Sequence, residues 1–210
     1  MASGDPVDLP SPIDLCDPAQ ARAWLEDTER RRPWRPRVFA AFVASLNAHF
    51  GAPFTVAELG SGPGRLAAAI LEGCDCKSYA AIDFSPAMHD LARQHLGVGA
   101  VRLRFLVEDF RLTEWSARIG VVDAIVTMQA AHEVRHVSRV PALFQTVRAS
   151  IRSGGLFLYA DHFYEEGSSK NRDLFLTREE QLDALQASGF CGIERLLEES
   201  GLALYAATAP

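Results

Sequence analysis

Three glycines spaced two apart, Gly60, Gly62 and Gly64, are the residues whose pattern most clearly indicates a ligand site. Glu58 lies two residues before the first of them, and Asp83 ends the next apolar run. Glycine lets a backbone turn come close to a ligand because it has no side chain. A carboxylate at the end of a second strand can accept hydrogen bonds from two ribose hydroxyls. The pattern therefore predicts a strand-turn-helix-strand unit that binds a nucleotide or nucleoside.

The elements that must position these residues follow from alternating apolar runs and helical patterns. Predicted strands are 54–59, 79–83, 101–107, 121–127, 155–160, 190–196 and 202–207. Predicted helices are 65–72, 86–96, 138–152 and 178–188, with a short one at 113–118. The first five strands alternate with other segments, which implies right-handed crossovers and a parallel sheet. The last two are too close in sequence for such a crossover and are expected to form an antiparallel hairpin.

The sequence before the first strand predicts an arm and two helices. Residues 1–16 are rich in proline and aspartate and are expected to be irregular. Asp17 and Pro18 have the N-cap and first-turn proline of a helix start, and this helix is expected to end near Arg32. A second helix is predicted over 37–49, where apolar residues recur at helical spacing.

The composition fits one globular domain, since 48% of the 210 residues are hydrophobic and 23% are charged. We expect residues 1–50 to form an N-terminal arm and helical cap, and residues 51–210 to form the main domain. The formal net charge of −6 argues against nucleic acid and anionic membranes as partners.

No segment has the pattern of a signal peptide or of a membrane span. The first 20 residues carry four aspartates and four prolines. No apolar run approaches the roughly 20 residues that cross a bilayer. The four cysteines do not form a persuasive disulfide framework, so a reduced, cytoplasmic protein is expected.

The segment Glu58-Leu59-Gly60-Ser61-Gly62-Pro63-Gly64, with Ile82-Asp83-Phe84-Ser85-Pro86-Ala87-Met88 downstream, resembles the class I S-adenosylmethionine-dependent methyltransferases. The resemblance covers about residues 54–207 and includes 107–110, 122–126 and 152–156. It implies a Rossmann-like α/β fold with helices on both faces of a seven-stranded, mostly parallel sheet. The implied strand order is 3-2-1-4-5-7-6, with the last strand antiparallel and a helical N-terminal cap.

The resemblance also implies how S-adenosylmethionine is bound. The glycine loop would lie against the methionine part, while Glu58 would orient that loop or reach the amino group through water. Asp83 would accept hydrogen bonds from both ribose hydroxyls, and Asp109 would meet the adenine amino group. Asp109 could instead cap the following segment, and Met88 could be a core residue. The predicted cofactor-binding residues are Glu58, Gly60, Ser61, Gly62, Gly64, Asp83, Phe84, Met88, Glu108, Asp109, Phe110, Thr127, Met128 and, from the cap, Trp34.

Candidate catalytic residues follow strands four and five. Methyl transfer from a sulfonium is a direct displacement, for which the protein supplies alignment and, where needed, a base. His132 or His162 could deprotonate an oxygen or nitrogen nucleophile because imidazole titrates near neutral pH. Either histidine could instead only order its loop. The predicted catalytic residues are His132, Glu133, His162 and Tyr164.

The run from His132 to His136 also fits the His-Glu-x-x-His pattern of zinc peptidases. That function is disfavoured because the run follows a strand, whereas the zinc site needs a stable helix. His132, His136, Asp161 and His162 are suitable metal ligands by type, but no metal is assigned to them. The other histidines, His49, His89 and His95, fall on predicted helices and are expected at the surface.

Five arginines lie within residues 30–37, around Trp34. They could be a solvated helix end, and nucleic acid is disfavoured as their ligand by the acidic remainder of the chain. The sharper hypothesis is that Trp34 and one or two arginines, such as Arg35 and Arg37, bind the cofactor carboxylate or an anionic substrate.

The expected function is methyl transfer from S-adenosylmethionine to a small molecule, with S-adenosylhomocysteine as product. A small acceptor is favoured because little sequence remains for a separate recognition domain, and because no Asn-Pro-Pro-Tyr-like run follows strand four. The alternatives are a non-catalytic module that binds S-adenosylmethionine for regulation, and an NAD(P)-dependent reductase. The expected partner is a small-molecule substrate, with no nucleic acid and no membrane, and a homodimer is left open.

Overall fold

A seven-stranded sheet with helices on both faces forms the body of the protein. The computed structural model describes residues 7–210, so the first six residues of the predicted arm lie outside the described part. The strands are β1 (Phe54–Leu59), β2 (Cys76–Asp83), β3 (Leu103–Val107), β4 (Val122–Met128), β5 (Ile151–His162), β6 (Cys191–Glu199) and β7 (Leu202–Thr208). Their order in the sheet is β3-β2-β1-β4-β5-β7-β6, which confirms the predicted order.

Within residues 7–210, seven α-helices pack against this sheet or against each other. They are α1 (Pro18–Arg31), α2 (Arg35–His49), α3 (Arg65–Gly73), α4 (Pro86–Leu96), α5 (Glu114–Ile119), α6 (Val140–Ala149) and α7 (Arg178–Ala187). The predicted start signal of α1 acts as expected, since Asp17 accepts a hydrogen bond from the Gln20 amide. At the start of α7, Thr177 and Glu180 form a capping box. Two short 3₁₀ helices, Ala131–Val134 and Val137–Arg139, follow β4.

The direction of the strands gathers the candidate site at one edge of the sheet. β1 pairs in parallel with β2 and β4, and β4 pairs in parallel with β5. β7 runs antiparallel to both β5 and β6, as the short connection predicts. The glycine loop, Asp83 and the segments after β4 and β5 therefore all lie beyond the carboxyl ends of parallel strands, where ligands bind in open α/β sheets.

Both faces of the sheet are buried, which explains why the strands read as nearly continuous apolar runs. On one face, Phe144 of α6 packs near Ile125 and Phe157. On the other, Phe42 of α2 lies in the same apolar cluster as Val56. The predicted cap thus shares a core with the sheet, and the division at residue 50 stays a prediction. No helix within residues 7–210 is long and apolar enough to cross a membrane.

The cap also reaches α4, the helix that follows Asp83. Ala21 of α1 packs with Ala87, Met88 and Leu91 of α4 in a small apolar cluster. The arm before α1 is tied to the same region, since the Ser85 hydroxyl donates to the Leu15 carbonyl. Arm and cap are therefore held against the carboxyl edge of the sheet.

The prediction that His89 is a surface residue is wrong. His89 is fully buried, and its Nε2 atom lies 3.4 Å from the Ser61 hydroxyl. His89 follows Met88 on α4 and lies on the face of this helix that packs against the glycine loop. Burial lowers the pKa of His89 to about 4, so the ring is neutral at physiological pH.

Candidate functional site

A cleft of about 960 Å³, measured with its open mouth, lies at the carboxyl edge of the sheet. The glycine loop and Asp83 form one wall, and the segments after β4 and β5 form the opposite wall. Arg32, between α1 and α2, and Arg35, the first residue of α2, close it from the cap. Apolar walls with a few converging polar groups are typical of sites that bind a small molecule or cofactor.

The three glycines of the loop have two different functions. Gly60 and Gly62 line the cleft in the left-handed region, with φ of +68° and +50°. A Cβ atom on Gly60 would clash with the Cβ atom of Ala130, whereas one on Gly62 would meet no atom within 4 Å. Gly64 does not line the cleft; a Cβ there would lie 3.0 Å from the Cβ of Ala92. The first two glycines therefore shape the ligand site, and the third lets α3 pack against α4.

Asp83 presents an oriented carboxylate to the cleft. Its Oδ2 accepts a hydrogen bond from the Gly62 amide at 2.8 Å, and its Oδ1 accepts one from the Ser85 amide at 2.9 Å. Burial raises the pKa of Asp83 to about 6, although the two amides favour the ionised form. Each oxygen keeps further acceptor capacity, which fits the two hydroxyls of a ribose.

Ser61 supports the loop from below. Its amide donates to the Ile82 carbonyl at 3.0 Å, which ties the loop to the end of β2. Ser61 is buried and also borders the cleft.

Glu58 and Arg35 form a polar end of the cleft. The Tyr79 hydroxyl donates to Glu58 Oε2 at 2.6 Å, and burial raises the pKa of Glu58 to about 8. Burial also lowers the pKa of Arg35 to about 10, and its buried Nε has no hydrogen-bond partner within the described residues. A group carrying both an ammonium and a carboxylate, such as the amino acid end of S-adenosylmethionine, would supply a partner to each.

The residues predicted to surround adenine are only partly gathered in the cleft. Phe84, Met88 and Phe110 line it. Asp109 lies in an adjoining cavity, which shares Phe84 and Phe110 with the cleft. Arg111 Nε donates to Asp109 Oδ2 at 2.8 Å. Although burial opposes ionisation, this arginine lowers the pKa of Asp109, so the carboxylate is already paired.

Residues 8–15 of the arm close the adjoining cavity. Arg135, which has a φ of +65°, donates from Nε to the Leu9 carbonyl and from Nη2 to the Pro10 carbonyl, each at 2.7 Å. Leu15 reaches the main cleft. The arm is therefore a wall of the site that no local sequence pattern had indicated.

Of three other predicted cofactor-binding residues, Glu108, Thr127 and Met128, only Met128 lines the cleft. Glu108 lines neither cavity and pairs with Arg118 at 2.6 Å. The Thr127 hydroxyl donates to the Leu59 carbonyl at 2.9 Å, which joins β4 to β1, whereas its neighbour Met128 lines the cleft.

Trp34 does not line the cleft. Its ring packs edge-on against His162, with ring centroids 6.4 Å apart. Trp24 of α1 forms part of the cleft wall.

His132 is held between two carboxylates. Its Nδ1 lies 2.9 Å from Asp161 Oδ1, and its Nε2 lies 3.4 Å from Glu133 Oε1. Burial disfavours the charged ring, but Asp161 and Glu133 outweigh burial and raise the pKa of His132 to about 10. At neutral pH His132 is therefore an imidazolium that donates hydrogen bonds, not the neutral base that its type alone suggested.

His162 is neutral, and both of its ring nitrogens are engaged. The Gly201 carbonyl can only accept, so Nδ1 donates to it at 3.1 Å, and Nε2 accepts from the Gln129 side-chain amide at 2.8 Å. Burial lowers the pKa of His162 to about 4. Gln129 has a φ of +56°, and its buried Oε1 has no partner within residues 7–210.

Of the other candidate catalytic residues, Glu133 lines the cleft and Tyr164 does not. Arg135 donates to Glu133 Oε2 at 2.9 Å. Although burial opposes ionisation, His132 and Arg135 lower the pKa of Glu133. The Tyr164 amide donates to the Leu176 carbonyl, and its ring lies beside the Arg172 guanidinium. The structure therefore does not bring Tyr164 to His132 and His162.

The His-Glu-x-x-His run does not lie on one helix. It is divided between two 3₁₀ helices, and His136 instead accepts from the Ser138 amide at 3.2 Å. Within residues 7–210 no group of three His, Cys, Asp or Glu side chains could hold a metal ion.

Several cleft residues are missing from the predicted set. Arg32, Gln129 and Phe175 all line the cleft. The arginine-rich run around Trp34 indicated a role for the cap, and the position after strand four made the loop containing Gln129 a candidate. Phe175 lies in the long connection between β5 and α7, for which no motif was found.

A family model described as a methyltransferase domain matches residues 56–155. The structure is similar to that of an O-methyltransferase family protein from Burkholderia thailandensis, with a TM-score of 0.74 and 14% identity. That match covers 91% of this chain and 60% of the other, so this chain spans less than two thirds of that protein. A search of curated protein sequences found no match.

Two further solved structures are similar. A Haloferax volcanii putative methyltransferase, in complex with the Trm112 methyltransferase activator, has a TM-score of 0.72 at 18% identity and covers 96% of this chain and 100% of its own. Human N-acetylserotonin methyltransferase, in complex with S-adenosylmethionine, has a TM-score of 0.68 at 16% identity and covers 92% of this chain and 57% of its own. These structural similarities show that this chain has the same fold as those proteins.

The matched family model covers most of β1, the glycine loop and Asp83, the segments that form one wall of the cleft. The sheet order is the one that the motifs implied. Residues 56–155 thus match a methyltransferase domain, and the chain as a whole has the fold of solved methyltransferases, one of which is in complex with S-adenosylmethionine.

Proposed function

We propose that this protein transfers the methyl group of S-adenosylmethionine to a small-molecule acceptor and releases S-adenosylhomocysteine. The observation that carries this proposal is a single cleft that joins the glycine loop and Asp83 to His132 and His162. Because the polar groups on its two sides differ, the cleft has one end suited to a nucleoside and another suited to a second molecule.

The residues of the first end fit the cofactor by their chemistry. When bound, S-adenosylmethionine supplies an electrophilic methyl group on its sulfonium. Asp83 would hold the ribose, and Phe84 and Met88 would cover the adenine. Glu58 and Arg35 would take the ammonium and the carboxylate of the methionine part.

The residues at the second end are better suited to aligning an acceptor than to removing a proton from it. His132 already holds its proton at neutral pH, and the free electron pair of His162 is occupied by Gln129. We propose that the acceptor's nucleophile needs no base in the protein, and that His132 and Glu133 orient the acceptor in a site that excludes water.

The enclosure of the cleft supports a small acceptor. The cap, the arm and the loop around Phe175 surround it, so a folded protein or a nucleic-acid duplex would have to displace them. The formal net charge of −6 likewise disfavours nucleic acid. Cys16, Cys74, Cys76 and Cys191 are all free, which suits the reducing cytoplasm that we propose as its compartment. A homodimer stays a prediction.

Calorimetry separates the proposal from a reductase. We expect S-adenosylhomocysteine to bind and NADH not to bind at the same concentration. Binding of NADH without binding of S-adenosylhomocysteine would reject the proposal.

Turnover separates the proposal from a non-catalytic module. Purified protein is incubated with S-adenosylmethionine and a library of small acceptors, and S-adenosylhomocysteine release is measured by mass spectrometry. We expect release that depends on the acceptor. Tight cofactor binding with no release for any acceptor class would favour a regulatory module instead.

A further inference from the structure

Arg32 is an arginine of the cap whose charge has no ion-pair partner within residues 7–210. Its neighbours differ, because Arg30 and Arg31 both pair with Asp27 on the same helix, and Arg37 pairs with Glu199 at 3.0 Å. The Arg32 side chain makes no hydrogen bond to the described residues, although its amide donates to Thr28 at the end of α1. The guanidinium is thus available to a ligand.

Arg32 lies at the acceptor end of the cleft. It borders the cleft itself and a second opening, lined also by Arg35 and Arg65, that leads to the surface. Trp34, two residues later, packs against His162, so the turn that carries Arg32 lies over that histidine. The positive charge of Arg32 lowers the pKa of His162, which agrees with this proximity.

Arg32 and Arg35, which make no ion pair within residues 7–210, face different groups. Arg35 lies near Glu58 at the methionine end, since the two charges affect each other's pKa. Asp161 is the carboxylate that most favours the charged form of Arg32, and it is already bonded to the His132 ring and amide. Arg35 can therefore bind the cofactor, which leaves Arg32 to bind the acceptor.

The surroundings of Arg32 favour a planar anion. Burial lowers the pKa of Arg32, so its guanidinium is partly removed from water. A guanidinium in such a place binds a carboxylate through two parallel hydrogen bonds. Phe175 adds an apolar face nearby, with its ring centroid 4.8 Å from that of His132 and 6.2 Å from that of His162.

We infer that Arg32 binds a carboxylate of the methyl acceptor, so that the acceptor is a small organic acid with an apolar body that packs against Phe175. The inference rests on the proposed function, because it assigns the second end of the same cleft. It makes Arg32 a specificity-determining residue that has no part in holding S-adenosylmethionine.

The test uses the complete protein saturated with S-adenosylhomocysteine. A panel of aromatic and aliphatic monocarboxylates, including benzoate, cinnamate and hexanoate, is titrated by calorimetry beside the corresponding amides. We expect at least one carboxylate to bind about tenfold or more tightly than its amide, the size of a charge-assisted hydrogen bond. Arg32→Gln should abolish this preference, and Arg32→Lys should keep part of it.

Two controls make the result specific. Arg31→Gln removes the adjacent arginine, which is exposed and paired with Asp27, and should leave the preference intact. Arg32→Gln should bind S-adenosylhomocysteine within about twofold of the unmodified protein, which also shows that the variant is folded.

Three outcomes are distinguishable. If no carboxylate is preferred over its amide by the S-adenosylhomocysteine complex, the inference is wrong. It is also wrong if Arg32→Gln weakens binding of S-adenosylhomocysteine but not of 5′-methylthioadenosine, which lacks the carboxylate, since Arg32 would then hold the cofactor. Failure of the unmodified protein to bind S-adenosylhomocysteine would instead reject the proposed function.

Discussion

Single carboxylates and histidines in the cleft differ in charge because each has partners of a different kind. Asp83 is buried with two backbone amides, and its pKa rises to about 6. His132 is buried with two carboxylates, and its pKa rises to about 10. His162 is buried beside two neutral partners, and its pKa falls to about 4. Partners, more than residue type, therefore decide which groups can bind a ligand or move a proton.

Replacing Asp83 by Asn should weaken nucleoside binding about 10- to 100-fold, because a charged acceptor of two hydrogen bonds is lost. The ligand for this measurement is 5′-methylthioadenosine, which has the ribose but no amino acid group, and calorimetry gives its affinity. The control is Asp90→Asn on the exposed side of α4, where Asp90 pairs with Arg93 and with no other residue in the range 7–210. Equal affinities in the two variants would contradict a ribose-binding role for Asp83.

The affinity of the unmodified protein for 5′-methylthioadenosine should also depend on pH. Since the pKa of Asp83 is about 6 and the ionised form is the better acceptor, affinity should be constant above pH 7 and fall as pH drops through 6. Asp83→Asn should remove this fall. A decrease that persists in the variant would assign the titration to another group.

The charge of His132 leads to a prediction about the rate. If the protein aligns the acceptor without removing a proton, kcat should stay nearly constant between pH 7 and pH 9, where His132 remains protonated. The measurement is the pH profile of kcat at saturating substrates. A tenfold rise per pH unit that levels off near pH 10, and shifts to lower pH in Asp161→Asn, would identify His132 as a base and contradict our proposal.

Among the elements, the glycine loop depends on the segment after β4, because Ala130 fills the space beside Gly60. Gly60→Ala should lower the free energy of unfolding by about 2–4 kcal/mol. The left-handed backbone contributes about 1–2 kcal/mol and the clash contributes the rest. Urea unfolding measures the loss.

The matched control for this variant is Gly189→Ala. Gly189 also has a positive φ, of +87°, but a Cβ there meets no atom within 4 Å. Gly189→Ala should therefore lower the free energy of unfolding by only the backbone contribution of about 1–2 kcal/mol. Equal losses in the two variants would show that Ala130 does not restrict the loop.

Local patterns predicted these elements well wherever the causes are local. The predicted bounds of β1 and α4 match the structure because their caps, glycines and apolar runs lie within the segments themselves. The helix predicted to end at 152 ends at Ala149, because β5 begins at Ile151, which pairs with Val122. The arm is held by Arg135, more than a hundred residues away, and no pattern within the arm could indicate that contact.

For the molecule as a whole, the nucleoside end of the cleft was easier to predict than the acceptor end. The first end is built from one continuous strand-turn-helix-strand unit, so Gly60, Gly62 and Asp83 could be named from spacing. The second end combines the cap, the segment after β4 and the segment after β5. His132 obtains its charge from Asp161, 29 residues away, and a sequence pattern does not show such a pair.

Because the cleft joins the cap to the sheet, its ligand should stabilise the whole chain. α1 and α2 share apolar clusters with α4 and with the sheet, so we expect one unfolding transition. A ligand at 100 times its Kd adds about 2.7 kcal/mol to the free energy of unfolding. For a chain of this size, that raises Tm by about 5–10 °C.

Differential scanning calorimetry measures this shift with S-adenosylhomocysteine and with NADH, each added alone. S-adenosylhomocysteine should raise Tm as a single transition, and NADH should not. Asp83→Asn should lose most of the shift at the same ligand concentration, because the same carboxylate carries the affinity. A shift with NADH, or a cap that unfolds separately from the sheet while S-adenosylhomocysteine is bound, would contradict the view that one cleft unites these elements.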